Sequence, residues 1–302
     1  MAKYKYYIAP LLCCFFALFV FTALKFYKTK ATKEIPLTSE KELKVTMEAG
    51  FGNINVSRGK SSAVLNAEVE SGSAMDLDNC LDYRQRDRIG YLSMSMDCSP
   101  NHDDDHPRRG KSIHIDNLDS RDWYVQFTDA VPIAFDIELG LGKGDIDMTD
   151  LRVKDFSLST GASSVRLKFS KPNKETIEDM NLEAGISKFT AEGLSNAHFQ
   201  HLKFEGGVGS YTLDFGGDLD KEVDADLDVG LGTLTLIIPD KIGAKIIYQK
   251  SWIAHIDLAK DFEESSSQED TYYSSNYSSA KGKINFRIDA GMGSIKIRRG
   301  SW

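Results

Sequence analysis

The sequence predicts an all-β protein, a β-solenoid of stacked rungs of about 22 residues with an N-terminal β cap and one N-terminal transmembrane helix. Three observations carry this expectation. A motif of the form Gly-Φ-[Gly/Ser]-x-Φ-x-Φ, with Φ apolar, recurs along the chain. Alternating apolar and polar residues surround each copy, whereas helical periodicity is nearly absent after residue 34. An uncharged, apolar run of 17 residues, 8–24, lies between two groups of lysines.

The apolar run comes first in the chain. As a helix it would extend about 25 Å, at the short end of what crosses a bilayer. Tyr6 and Tyr7 before it and Tyr27 after it suit the two interfaces. Lys3 and Lys5 precede it, and Lys25, Lys28, Lys30 and Lys33 follow. A cleaved signal peptide needs small residues at its cleavage site, and Thr-Ala-Leu-Lys at 22–25 is a poor one. A lipidation signal is also poor, because Leu12 or Cys13 precedes each candidate cysteine. A retained signal-anchor is therefore expected, making the protein single-pass in a membrane. The lysine distribution alone would keep the C-terminal side in the cytoplasm. The cysteines and the β fold favour the opposite, an extracytoplasmic C-terminal domain.

The repeats organise the rest. Copies stand at 50–56, 161–167, 185–191, 207–213, 230–236 and 291–297, and residues 140–148 read as a copy with a two-residue insertion. Counted from Gly142, the spacing runs 19, 24, 22 and 23 residues, one turn of a solenoid. The glycines expected at the corners are Gly50, Gly52, Gly142, Gly144, Gly161, Gly185, Gly207, Gly209, Gly230, Gly232, Gly291 and Gly293. Glycine suits a corner because it reaches positive φ without a Cβ clash. In residues 225–236 the apolar phase slips by one between Leu231 and Leu234, across the Gly-x-Gly, so a bend or bulge is expected there. One rung cannot bury its own apolar row; stacking supplies the missing surface.

Alternating segments at 63–69, 90–96, 111–116 and 123–127 read as strands of a cap that covers the first rung. The expected division is an anchor and linker at 1–33, a β cap region with the first glycine repeat at 34–130, and solenoid repeats at 131–302. The Ser/Tyr-rich stretch near 262–280 reads as a mobile polar loop, with a partner-binding loop the alternative.

The charge balance separates along the chain. Residues 1–33 carry six lysines and no acid, so the remainder holds 31 basic and 45 acidic residues, a net charge of −14. Such a body repels phosphate backbones, and no nucleic-acid partner is expected.

Candidate chemistry is sparse. Cys80 and Cys98 lie near strand ends and read as a disulfide outside the cytoplasm or as two buried thiols; no Cys-x-x-Cys spacing occurs. His102, Asp103, Asp104, Asp105 and His106 form the one dense metal-like cluster, with oxygen donors for calcium or imidazoles for zinc. Against metal binding, 101–109 reads as a solvated loop with Arg108 and Arg109 beside it. Asp214, Asp218, Asp220, Asp224, Asp226 and Asp228 concentrate acid, the last three on one strand face, where they read as a solubilising face, with weak calcium binding the alternative. Gly-Leu-Gly-Lys-Gly at 140–144 is no P-loop, because Gly-Asp and a strand follow the lysine. No nucleophile elbow and no acid–base carboxylate pair is legible, and neither an enzyme nor a cofactor is expected.

The set formed by Asp-Trp-Tyr-Val-Gln-Phe at 122–127, the run 131–142, Gly-Leu-Ser-Asn-Ala at 193–197, the run 207–217 and Ile238-Pro239 resembles the bacterial toast-rack family. That family groups with putative-adhesin β-solenoids and the C-terminal domain of LiaF-type cell-wall antibiotic response proteins. The resemblance implies an envelope β-solenoid without known catalysis. An anchor joined to stacked repeats, whose long exposed faces suit extended ligands, is expected to act as a binding or adhesion-like scaffold with an envelope protein or glycan as partner. The alternative the resemblance implies is a LiaF-type regulator of the envelope stress response. LiaF-type proteins usually carry several membrane spans, and this sequence shows one.

Overall fold

The computed structural model describes residues 29–72, 74–98, 121–249 and 254–300. Strand β1 (Thr29–Pro36) leads into the long β2 (Glu42–Arg58), followed by β3 (Ala63–Ser71), β4 (Leu81–Arg86), β5 (Ile89–Ser95) and β6 (Asp122–Phe127). Five long strands come next: β7 (Ile133–Asp147), β8 (Val153–Lys168), β9 (Ile177–Glu192), β10 (Phe199–Asp214) and β11 (Glu222–Ile238). Short strands β12 (Gly243–Gln249), β13 (Ala254–Asp257), β14 (Phe262–Glu264) and β15 (Thr271–Ser274) precede the long β16 (Lys283–Arg299).

The seven long strands are the rungs. They run parallel in the order β2-β7-β8-β9-β10-β11-β16, so equivalent residues stack directly. Each rung has a first arm, a corner and a second arm. Val45, Phe135, Phe156, Met180, Leu202, Ala225 and Phe286 form one buried column of the first arm. The two arms of a rung face each other across the core: Phe204 and Tyr211, both on β10, meet edge to face at 5.3 Å.

The corner requires small residues for two separate reasons. A Cβ on Gly161 would stand 2.5 Å from the Gly140 carbonyl oxygen, and one on Gly291 would stand 2.7 Å from that of Gly230. The first glycine of each corner thus permits rungs to approach. The second glycine supplies the bend, with φ of +140° at Gly142 and +142° at Gly232. Ser163 and Ser187 hold this second position in β8 and β9.

This register corrects the reading of 140–148. Gly140 stacks on Gly50, and Gly142 pairs with Gly52, so the rung has no insertion. Gly144 is not a corner glycine. It occupies the inward column that holds Ile54 and Val165 in neighbouring rungs, and Val165 and Leu139 fill its space.

Both ends close with a rung made of two pieces. β5 lies on the first arm of β2 and β6 on its second arm. At the other end β12 and β13 cover the two arms of β16 in the same way. The stack therefore has nine levels, about 38 Å from first to last at the usual strand spacing. The final strand β16 inserts between β11 and β12, which explains the long gap between the last two repeats.

Antiparallel strands cover the split rungs: β4 on β5, β3 on β6 with β1 beyond, and β15 on β12 with β14 beyond. The outermost strands are unattractive for further pairing. β1 carries Lys30, Lys33 and Glu34 and ends at Pro36, and β14 is three residues with two glutamates. The stretch expected as a mobile loop near 262–280 belongs to this ordered cover. Tyr273 and Tyr277 meet edge to face at 5.1 Å, and the Tyr277 hydroxyl donates to Asn285 Oδ1 at 2.8 Å. Its serines and tyrosines satisfy turn backbone and each other, which composition alone does not reveal.

Buried amides fasten the connections between rungs. Asn173 Nδ2 donates to the carbonyls of Val153 (2.6 Å) and Ala197 (3.1 Å), while its Oδ1 accepts from the Val153 amide at 3.0 Å. Asn173→Ala leaves these backbone groups without partners and is expected to cost about 2–3 kcal/mol, read as a lower urea midpoint at unchanged slope. A loss below about 0.5 kcal/mol would show that water replaces the amide freely.

Candidate functional site

The side chains that alternate outward form columns along the stack, and these are the surfaces available for recognition. On the first arm, Thr46, Asp136, Ser157, Asn181, Lys203, Asp226 and Arg287 make one such column. Beside it lies an acidic column that includes Glu138, Glu183, Glu205, Asp228 and Asp289.

On the second arm, a hollow of about 560 Å³ opens over Gly144. Its walls include Asn55, Asp122, Lys143, Asp145, Arg166 and Lys188. Arg166 grips Glu192 through two bonds of 2.9 Å, and Asn53 donates to Asp122 at 2.6 Å. The rim is thereby held rigid, with the Lys143 and Lys188 stems exposed to solvent. Amides, carboxylates and cations in a shallow hollow suit a polar, hydroxyl-rich ligand more than an apolar one.

His201 is the most connected titratable group on the first arm. Its Nε2 lies 2.9 Å from Asp226 and its Nδ1 3.3 Å from Asp179, and Arg287 approaches the other Asp226 oxygen at 3.0 Å. The Asp226 hydrogen bond above all, against partial burial, holds the imidazole above its ordinary pKa of 6.5. A raised pKa in the folded state makes the protonated form stabilising. That stabilisation is complete below the unfolded pKa and fades as pH rises through the folded one. His201→Asn should therefore flatten the melting-temperature profile between pH 5.5 and 8.5, by less than about 1 kcal/mol given solvent screening. Parallel profiles for the two proteins would remove the assignment.

The aspartates at 214–228 separate into different roles. Asp214 is buried and accepts from the Gly216 amide at 3.0 Å; burial raises its pKa. Asp218 pairs with Lys241 at 2.5 Å and Asp220 with Lys281 at 3.6 Å in the turns. Asp224 accepts from Asn285 at 3.1 Å. Asp228 is raised first by burial and then by the neighbouring charges of Asp289 and Glu205. Asp224, Asp226 and Asp228 alternate along the single strand β11, and Asp214, Asp218 and Asp220 lie at the end of β10 and in the turn that follows, so the six do not converge on a point. Among the described residues no group of three or more His, Cys, Asp or Glu is placed to hold a metal ion. His102, Asp103, Asp104, Asp105 and His106 lie outside the described residues.

Cys80 and Cys98 are joined by a disulfide with a Cα–Cα separation of 5.2 Å, which ties the start of β4 to the chain just after β5. No helix among the described residues is long and apolar enough to cross a membrane, and the run 8–24 lies outside them. Leu231 continues the apolar alternation of its rung's first arm, but it points outward, 44% exposed, as do Leu141, Ile186, Val208 and Met292 at other corners. Its position between the two glycines was the available signal.

A putative cell adhesion protein from Clostridium sporogenes is 17% identical, with 91% of this chain and 100% of that one covered, at a TM-score of 0.44. A putative adhesin from Bacteroides fragilis is 13% identical over 90% and 98%, at 0.36. Another from Parabacteroides distasonis is 10% identical over 89% and 97%, at 0.26. No curated protein matches the chain. The family model "N-terminal domain of toast_rack, DUF2154" matches residues 25–192 and 173–237, well over half of the sequence. The chain belongs to the toast-rack family.

Proposed function

We propose that this protein is a non-enzymatic, membrane-anchored scaffold of the bacterial cell envelope that binds an extended partner, protein or glycan, along its outer faces. The observation that carries the reading is that outward side chains stack in columns along the whole series of rungs, one of them acidic in every long strand except β8. A point-like ligand needs convergent groups; a linear one needs this kind of repetition.

Two further features support the address. The Cys80–Cys98 disulfide suits an oxidising compartment. Only residues 25–28 separate the apolar run 8–24 from β1, at most about 14 Å of extended chain, which would hold the stack close to the membrane. Alkaline extraction of membranes combined with thiol alkylation tests this. The full-length chain should stay with the membrane, and Cys80 and Cys98 should react only after reduction. A full-length chain recovered soluble from the cytoplasm with both thiols free would overturn the proposal.

A further inference from the structure

Each corner turns outward the residue between its two small residues, half-buried at Phe51 and exposed at the other six. Phe51, Leu141, Ile186, Val208, Leu231 and Met292 hold this place in six rungs, with Ala162 in the seventh. Ile186 is 68% exposed and Met292 48%. Packing does not impose apolar residues there, since an outward corner accommodates Ser, Asn or Asp without strain. At the usual strand spacing they form a ridge about 29 Å long. Scattered exposed apolar residues are ordinary, but a contiguous row marks an interaction surface.

The flanks of the ridge differ. Three residues before each ridge position stand Glu48, Glu138, Glu183, Glu205, Asp228 and Asp289, with Ser159 in β8. The last four occupy consecutive rungs, although like charges on neighbouring strands destabilise a sheet. Within this row Lys203 pairs with Glu205, and the Ser159 hydroxyl donates to Glu183 at 3.4 Å. Two residues after the ridge, the opposite flank carries Lys143 and Lys188 among Asn, Ser and Thr, and no acid.

We propose that this corner ridge docks a linear polypeptide segment of a partner protein, apolar along one side and rich in Lys or Arg along the adjacent side. Charge complementarity selects this occupant. A second copy would set two bodies of net charge −14 together, with Lys143 and Lys188 alone to answer six carboxylates. An anionic bilayer meets the same repulsion. An amphipathic helix of about 20 residues matches the ridge in length and presents both faces at once.

The test uses the full chain in zwitterionic nanodiscs, identical for every variant so that peptide taken up by lipid cancels. The probe is a synthetic 20-residue amphipathic Leu/Lys helix. Controls are a Leu/Glu helix and a Lys/Ser peptide of equal charge without an apolar side. The expected result is saturable binding of the Leu/Lys helix that weakens with salt. The triple variant I186S/V208S/L231S and the ladder variant E183Q/E205Q/D228N should each weaken it at least 10-fold. Both control peptides should bind at least 10-fold more weakly than the Leu/Lys helix. All six substitutions are at positions outside the buried core, and unchanged melting curves confirm folding of each variant independently. Unaltered affinity in the triple variant, or equal binding of the Lys/Ser peptide, would overturn the proposal. So would oxidative crosslinking of V208C chains to one another in the membrane, which would assign the ridge to a second copy.

Discussion

Gly232→Val should destabilise the protein by about 4 kcal/mol or more, a large share of the 5–15 kcal/mol typical of a folded domain. The backbone at Gly232 has φ of +142°, which a β-branched residue adopts only under strain of about 1–3 kcal/mol. A Cβ there would also stand 1.9 Å from the Gly209 carbonyl oxygen, so the rungs β10 and β11 must separate locally. Gly144→Ala is the matched control. Its Cβ would meet Val165 Cγ2 at 3.3 Å and Leu139 Cδ2 at 3.4 Å, side-chain atoms that can shift by tenths of an ångström. Its effect should stay below about 1 kcal/mol. Urea denaturation followed by far-ultraviolet circular dichroism separates the two. Equal, small effects would mean that the corner column tolerates side chains and does not set the spacing of rungs.

Phe286→Ala should cost about 3–5 kcal/mol. Phe286 is fully buried on β16, between Ala225 of β11 and Ile246 of β12, and its ring meets Phe215 edge to face at 5.0 Å. Ala225 is small, so nothing on that side can fill the cavity left behind. Because β16 joins β11 to the terminal split rung, the loss should loosen that end first. Faster proteolysis in 243–280 than in 133–214 is the accompanying observation. A loss under about 1 kcal/mol with uniform proteolysis would show that the core collapses around the site.

The repeat and its stacking were legible because two signals coincided in the sequence: glycine pairs at near-regular spacing, and period-two alternation on both sides of each pair. The split rungs were not legible. β5 and β6 are separated by residues 96–121, and each alone reads as an ordinary short strand. Their shared level is set by pairing with the two arms of β2, a long-range register that alternation cannot specify. The insertion of β16 between β11 and β12 escaped for the same reason. The error at Gly144 has a local cause. Gly140, Gly142 and Gly144 alternate, so two corner assignments fit the motif, and only stacking on Gly50 and Gly52 selects one. The apolar ridge was hidden because Leu141, Leu231 and Met292 continue the apolar phase of their first arms, although the corner turns them outward.

In the proposed function this solenoid stands outside the cytoplasmic membrane on a short N-terminal tether. Protease accessibility in intact and detergent-lysed spheroplasts tests it most directly. The C-terminal domain should be cleaved to the same extent in both, while a cytoplasmic marker is cleaved only after lysis. Protection of the domain until lysis, in step with the marker, would contradict it.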